Sequence, residues 1–379
     1  MNGPGGTRAG EGGDEIRRFR RLADLTAIAT FLLIIVGGVV RVSESGLGCG
    51  PGGSGTEGWP LCGGEVIPLV GDVNRVIEFS HRVLAAVVVA LIALLVWRAY
   101  RGLHTRRSTA SDRPPQTPRP DLRRQDSPPD LPPDQRWPLR GSVAAGVLVL
   151  AQAGLGGLTV EHSLAEELVA AHLGLAMVLL GLLLWLGARA RDELAADEGE
   201  APAPAPVRGL RPYAAVAAIL LLAAIVAGGY MAGTEEEGVN EVGPNIAGAH
   251  LACGEAFPTC LDGRILPFGE SRLTDIHLTH RALVYAATAA ILLLLGVAYR
   301  RGSRSRLLAL AALLLLGQLL LGALNVWLGE HAVLVVAHLT TATLLWGCLL
   351  LIAFRLAWAP ATVPEGSRAP RAEASTAAA

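Results

Sequence analysis

The sequence contains no lysine, only three methionines and few charged residues for its length. Charged residues make up 17% of the 379 residues, whereas soluble domains carry about 25%. Several long runs contain no charge at all, among them the segments 28–40, 83–96 and 307–321. With their flanks such runs reach about 20 residues, which is enough to cross a bilayer. The composition therefore excludes a cytosolic enzyme, a secreted disulfide scaffold and a disordered protein.

The hydrophobic runs predict an all-α integral membrane protein with eight transmembrane helices. The predicted spans are 22–41, 76–97, 141–160, 167–188, 212–232, 275–298, 307–328 and 332–354. The first apolar run is long enough to be a full span rather than the short core of a signal peptide. We therefore expect it to serve as an uncleaved anchor.

The distribution of arginine predicts the orientation of these spans. All 32 basic residues are arginine, which we attribute to a GC-rich genome rather than to a function. Of these, 26 lie in the termini and the even-numbered loops, four lie in the other loops, and two lie inside spans. The positive-inside rule then predicts a multi-pass plasma-membrane protein with both termini in the cytoplasm. The cysteine-bearing loops 42–75 and 233–274 would lie on the outer face, and we expect no nucleic acid partner.

The composition also predicts how the chain is divided. The expected parts are a cytoplasmic segment 1–21, a four-helix repeat 22–188, a cytoplasmic linker 189–211, a second four-helix repeat 212–354 and a cytoplasmic tail 355–379. Within the first repeat, the cytoplasmic loop 103–138 contains nine prolines and almost no large apolar residue. It cannot bury a core, so we expect it to be disordered.

The two halves of the chain share a series of motifs. The matches are Gly37-Gly38 with Gly228-Gly229, Trp59-Pro60-Leu61-Cys62 with Phe257-Pro258-Thr259-Cys260, Ser80-His81-Arg82 with Thr279-His280-Arg281, Gln152 with Gln318, and His172 with His338. They occur in the same order, each in the equivalent span or loop. Because each unit has four spans, both units have the same orientation. The repeat predicts two four-helix bundles related by a parallel pseudo-twofold axis along the membrane normal.

Each half contributes one histidine at the start of its second span and one at the start of its fourth. These are His81 and His172 in the first half, and His280 and His338 in the second. Helices two and four of a bundle can face each other, and two imidazoles on opposite sides of an iron are the ligands of a bis-histidine haem. Structural hydrogen bonding between helices or another metal remains an alternative. Zinc would require three or four compact ligands, and copper would usually bring methionine or cysteine. The remaining loop histidines (His104, His162, His250 and His331) are expected to be inert or solvated.

Three further ionisable residues accompany the histidines. Arg82 and Arg281 either snorkel to the outer interface or contact a haem propionate. Glu78 shares a helix face with His81, while its counterpart in the second half is His277. The carboxylate could relay protons, stabilise charge on a substrate, or simply be solvated. The difference suggests that the two sites have different roles.

Four cysteines lie in the predicted outer loops, Cys49 and Cys62 in one and Cys253 and Cys260 in the other. In an oxidising environment, two disulfides within these loops are expected. Each pair is either a structural staple or an exchangeable thiol pair that carries electrons. Cys348, inside the last span, is expected to be a packing residue.

Together these features resemble the haem A synthase family, the bacterial and mitochondrial enzymes of cytochrome oxidase assembly. The resemblance covers residues 20–355, and the paired loop cysteines resemble the bacterial branch. It implies a haem-dependent membrane oxidoreductase that oxidises a ring methyl of haem O to a formyl group. By this resemblance, His280 and His338 hold a resident haem b. His81 and His172 receive haem O, with Glu78 close to the reacting side.

The resemblance further implies that haem O synthase and an unidentified electron donor are partners. A di-haem b cytochrome that acts only in electron transfer is the alternative, and it predicts two equivalent haem sites. A transporter would need broken helices and a charged site at the membrane midplane, neither of which the sequence favours.

Overall fold

The computed structural model describes residues 7–68, 72–111, 136–197, 209–234, 237–238, 246–329 and 331–357. These residues contain eight long helices: α1 (Thr7–Val42), α2 (Val73–Ser111), α3 (Trp137–Glu161), α4 (Glu166–Asp197), α5 (Arg211–Gly233), α6 (Arg272–Arg300), α7 (Arg306–Trp327) and α8 (Ala332–Ala357). All eight are long and apolar enough to cross a membrane. The predicted all-α class and number of spans are therefore confirmed.

The described parts of the two cysteine-bearing loops contain only short elements. Two-residue strands, β1 (Glu237–Gly238) and β2 (Ile246–Ala247), pair antiparallel in the loop between α5 and α6. The loop between α1 and α2 contains two 3₁₀ turns. Each loop contains a disulfide of its own, Cys49 to Cys62 in the first and Cys253 to Cys260 in the second, as the sequence predicted.

Several helices extend beyond the predicted spans on the arginine-rich side. Helix α1 begins at Thr7 rather than near residue 22, α2 continues to Ser111, and α4 continues to Asp197. Hydropathy marks where the apolar segment ends, whereas a helix rich in arginine, alanine and glutamate can continue into water.

The prediction that residues 103–138 form a disordered loop is consequently wrong at both ends of that range. Residues 103–111 belong to α2, which places His104 on a helix, and α3 begins at Trp137 with Pro138 in its first turn. Proline is tolerated there because the first turn has no intrahelical acceptor for its missing N–H. The rest of that loop, 112–135, and the tail from residue 358 lie outside the described residues. The proposed division into repeats and linker remains a prediction.

Packing within the halves follows the same scheme. Helix α1 contacts α2 and α4, and α3 contacts α4. In the second half α5 contacts α6 and α8, and α7 contacts α8. Helices α4 with α5 and α1 with α8 join the halves. Each half thus forms a bundle in which its first and fourth helices face the other half.

Glycines at this boundary make reciprocal contacts. A Cβ on Gly38 would lie 2.7 Å from Leu339 Cδ2, and a Cβ on the equivalent Gly229 would lie 2.9 Å from Leu173 Cδ2. Leu173 directly follows His172, and Leu339 directly follows His338. A glycine of the first half thus contacts a leucine of the second half, and the equivalent glycine of the second half contacts the equivalent leucine of the first. A twofold arrangement requires this reciprocity. These contacts support the predicted pseudo-twofold axis, which itself remains a prediction.

Candidate haem-binding sites

All four repeat histidines pack against a glycine on a neighbouring helix. If each glycine carried a Cβ, the distance from that Cβ to the imidazole Cε1 would be about 3 Å in every case. The distances are 3.2 Å for Gly37 and His81, 3.0 Å for Gly156 and His172, 2.9 Å for Gly228 and His280, and 3.1 Å for Gly322 and His338. Any larger residue would displace the ring, because packed interiors have no spare volume at such distances. The helix backbone thus approaches the edge of each imidazole and limits its orientation.

The structure brings the histidines together in the predicted pairs. His81 on α2 lies close enough to His172 on α4 for their charges to interact, and His280 on α6 is similarly close to His338 on α8. Each half therefore presents two imidazoles from its second and fourth helices. This is the placement that the repeat predicted.

The donor set fits a haem better than a compact metal ion. Among the described residues, no group of three or more His, Cys, Asp or Glu side chains is arranged to hold a metal. The Nδ1 atoms of His81, His172 and His338 are buried and have no hydrogen-bond partner among those residues. Two imidazoles per site, held by glycine and only partly satisfied by protein, match bis-histidine ligation. A structural zinc would need further ligands.

The two pairs differ in how their first histidine is held. Nδ1 of His280 donates to the backbone carbonyl of Ala224 at 2.9 Å. This bond fixes the ring tautomer, so that Nε2 carries the free lone pair that an iron ligand needs. Nδ1 of His81 has no such bond to any residue in the described ranges. The second-half histidine is therefore oriented in advance, and its first-half counterpart is not.

Glu78 is buried rather than solvated, with 3% of its surface exposed. Its carboxylate forms an ion pair with Arg82 and accepts a hydrogen bond from the Cys49 N–H at 2.7 Å. The sequence left a solvated carboxylate open, and the structure excludes it. The counterpart His277 is equally buried but donates from Nδ1 to the Ala249 carbonyl at 2.9 Å. The first site alone therefore has a buried carboxylate one helical turn from its histidine.

The two arginines hold the outer loops. Arg82 Nη1 donates to the Leu61 carbonyl at 2.8 Å, and Arg281 Nη1 donates to the equivalent Thr259 carbonyl at 2.7 Å. Arg281 also donates to Ala256 at 3.0 Å and is buried. Both guanidinium groups donate to loop carbonyls, so the arginines do not snorkel. The contact with a haem propionate remains a prediction. Sequence reasoning missed the loop contacts, although the repeated motif that ends in Cys62 and Cys260 contains both acceptors.

Aromatic residues of the same repeated motif seat the loops on the bundles. The Trp59 ring lies against Gly157 of α3, 2.9 Å from where a Cβ would be. Phe257 makes an edge contact with Trp327 of α7, with ring centroids 6.2 Å apart. Each cysteine-bearing loop is therefore attached to its bundle at two neighbouring points of the same motif, by an arginine and by an aromatic side chain.

Comparisons with known proteins find a family and several relatives. Residues 131–350 match the COX15-CtaA family, which is described as cytochrome oxidase assembly protein. The chain is 27% identical over 313 residues to the heme A synthase of Alkalihalophilus pseudofirmus, covering 81% of this chain and 86% of the relative. It is 26% identical over 343 residues to that of Halalkalibacterium halodurans, covering 88% and 95%. A shorter match to the heme A synthase of Exiguobacterium sibiricum is 43% identical over 82 residues, or 21% and 26% of the two chains.

Proposed function

Because this chain belongs to the COX15-CtaA family of cytochrome oxidase assembly proteins, we propose that it is a haem A synthase. Its substrate would be haem O, of which one ring methyl is oxidised to a formyl group. The observation that carries this proposal is the difference between the histidine pairs. Among the residues that the structure describes, a buried carboxylate accompanies only the first pair, and a histidine tautomer fixed by a backbone carbonyl is found only in the second.

In this proposal the second pair, His280 and His338, holds a resident haem b. The carbonyl of Ala224 keeps Nε2 of His280 available as a ligand, and Gly228 and Gly322 keep both rings in place. A histidine whose other ring nitrogen donates a hydrogen bond binds its metal more tightly than a histidine without that bond. A bound haem b supplies one-electron transfer to the reaction. Tight binding suits a group that stays with the protein.

The first pair, His81 and His172, would receive haem O. An exchangeable substrate must also leave as product, so the absence of a preset tautomer at His81 suits this role. Glu78 would lie beside the reacting side, where its carboxylate can hold or pass on a proton. Arg82 pairs with that carboxylate and also ties the outer loop to α2. The same side chains therefore position the acid and close the site.

The proposal places the sites near the outer face of the plasma membrane, with both termini in the cytoplasm. Haem O synthase as the source of substrate and an electron donor of unspecified identity complete the proposed set of partners. The alternative of an electron-transfer cytochrome requires equivalent sites. It gains no support from two pairs with such different surroundings.

Coexpression with a haem O synthase tests the proposal. Pigments extracted from membranes with the wild-type protein should contain haem A, and those with Glu78→Gln should contain mainly haem O. The variant should retain its bound haem b, which serves as the folding control. Wild-type membranes that accumulate only haem O would overturn the proposal.

A further inference from the structure

We propose that Gln152 accepts a hydrogen bond from a hydroxyl group of the bound substrate, and so positions the haem in the first-half site. The inference rests on the proposed function. It concerns a side chain on α3 that is hydrogen-bonded to the backbone of His172.

Gln152 has an acceptor without a partner. Its side chain is about nine-tenths buried, and its Oε1 has no hydrogen-bond partner among the described residues. A buried carbonyl left unpaired costs about 1–3 kcal/mol, so such a group is normally satisfied by a ligand or an ordered water. Gly156, one turn further along α3, contacts the His172 ring. The free oxygen therefore belongs to the helix face that borders the imidazole.

The orientation of this amide follows from chemistry. Gln152 Nε2 donates to the backbone carbonyl of His172 at 2.9 Å. The reverse orientation would set two oxygens against each other, since a backbone carbonyl only accepts. Oε1 must therefore point away from that carbonyl. This oxygen is an acceptor, and its natural partner is an O–H or N–H donor.

The repeat equivalent Gln318 is arranged differently. Its Nε2 lies 3.0 Å from Nε2 of His338, and no backbone carbonyl fixes its amide. Either orientation of that amide can be satisfied, because the imidazole nitrogen can donate or accept according to tautomer. When that nitrogen binds iron, Gln318 must turn away. Gln318 Oε1 is also buried without a hydrogen-bond partner among the described residues. What distinguishes the first-half site is therefore the fixed orientation of its acceptor, which the bond to the His172 carbonyl provides.

The two haems differ in the chemistry that such an acceptor would recognise. Haem b carries no hydroxyl group, whereas haem O carries one at the base of its farnesyl tail. Oxidation of a ring methyl would create a second, on the hydroxymethyl product of the first step. Both are alcohol O–H donors. A single acceptor beside His172 therefore selects hydroxylated haems and discriminates against haem b.

Spectroscopic titration of purified protein that retains its resident haem tests the proposal. In wild type, haem O should bind more tightly than haem b. Gln152→Met, which keeps the length but removes the amide, should reduce this preference about 3- to 10-fold. Ser142→Ala is the matched control, because Ser142 Oγ on the same helix is also buried without a partner. The control should retain the wild-type preference.

The two hydroxyl sources give different results. A lost preference for haem O in Gln152→Met indicates the tail hydroxyl. An unchanged preference, together with release of hydroxymethyl haem as the main pigment during turnover, indicates the hydroxyl formed on the ring. If both preference and pigments match wild type, Gln152 binds only a water and the proposal is wrong.

A measurement on the unmodified protein guards against misfolding of the variant. Wild type should bind the O-methyl ethers of haem O and of hydroxymethyl haem, and at least one should bind more weakly than its parent alcohol. Equal binding in both comparisons would overturn the proposal. A wild-type protein that forms no haem A would instead defeat the proposed function. The titrations would still report whether Gln152 distinguishes the hydroxyl.

Discussion

The first and second histidine pairs occupy equivalent positions but have different surroundings. Both have glycine-packed imidazoles, an arginine bound to the outer loop, and a disulfide in that loop. Within the described part of the chain, only the second has a histidine oriented by a backbone carbonyl, and only the first has a buried carboxylate. A repeated scaffold can thus present two histidine pairs in different surroundings. The differences consist of single hydrogen bonds within a shared framework.

Removal of a ligand should have the largest effect on this comparison. We expect His280→Ala or His338→Ala to lose most of the resident haem b, because only one of the two histidine ligands would remain to hold the iron. His81→Ala and His172→Ala should retain it. The absorbance spectrum of the purified proteins measures this. Equal loss of haem from variants in both halves would show that the sites are equivalent.

Replacement of Glu78 should have the next largest effect. Glu78→Gln keeps the shape but removes the charge, and we expect haem A formation to fall by about 100-fold or more. Haem b content should not change. His277→Gln, at the equivalent position, provides the comparison and should reduce haem A formation far less. Similar losses in both variants would remove the distinction between the sites.

The glycine contacts should have an intermediate effect. Gly228→Ala places a methyl group 2.9 Å from Cε1 of His280, so we expect the affinity for resident haem to fall about 10-fold. Gly37→Ala should instead weaken the uptake of haem O, because its neighbour is His81. Haem titration of each variant separates the two effects. A change in the same haem in both variants would contradict the assignment of the halves.

The outer ion pair between the halves should have the smallest effect. Arg272 contacts Glu166 at 3.0 Å, and the arginine side chain is 49% exposed. We expect Arg272→Gln to lower stability by about 0–1 kcal/mol, as is usual for solvated pairs. Thermal unfolding with resident haem as the probe measures the change. A large loss of haem from either site would mean that this contact couples the halves.

Sequence patterns were sufficient for the number of spans and for the disulfides, because burial in lipid and paired loop cysteines leave direct signatures in the sequence. The repeat and the ligand role of the four histidines stay predictions. The patterns were insufficient for the helix ends at Thr7 and Ser111, since hydropathy reports the boundary of the apolar segment and not the end of hydrogen bonding. Contacts distant in sequence were also missed. The bond from His280 to Ala224 and that from Arg82 to Leu61 depend on how helices and loops pack.

The most direct test of the central claim is the haem content of purified protein before and after exchange with added haem O. The account predicts one haem b per chain that resists exchange, together with haem O uptake that His81→Ala abolishes. Two haem b groups per chain that both resist exchange, with no uptake of haem O, would contradict it.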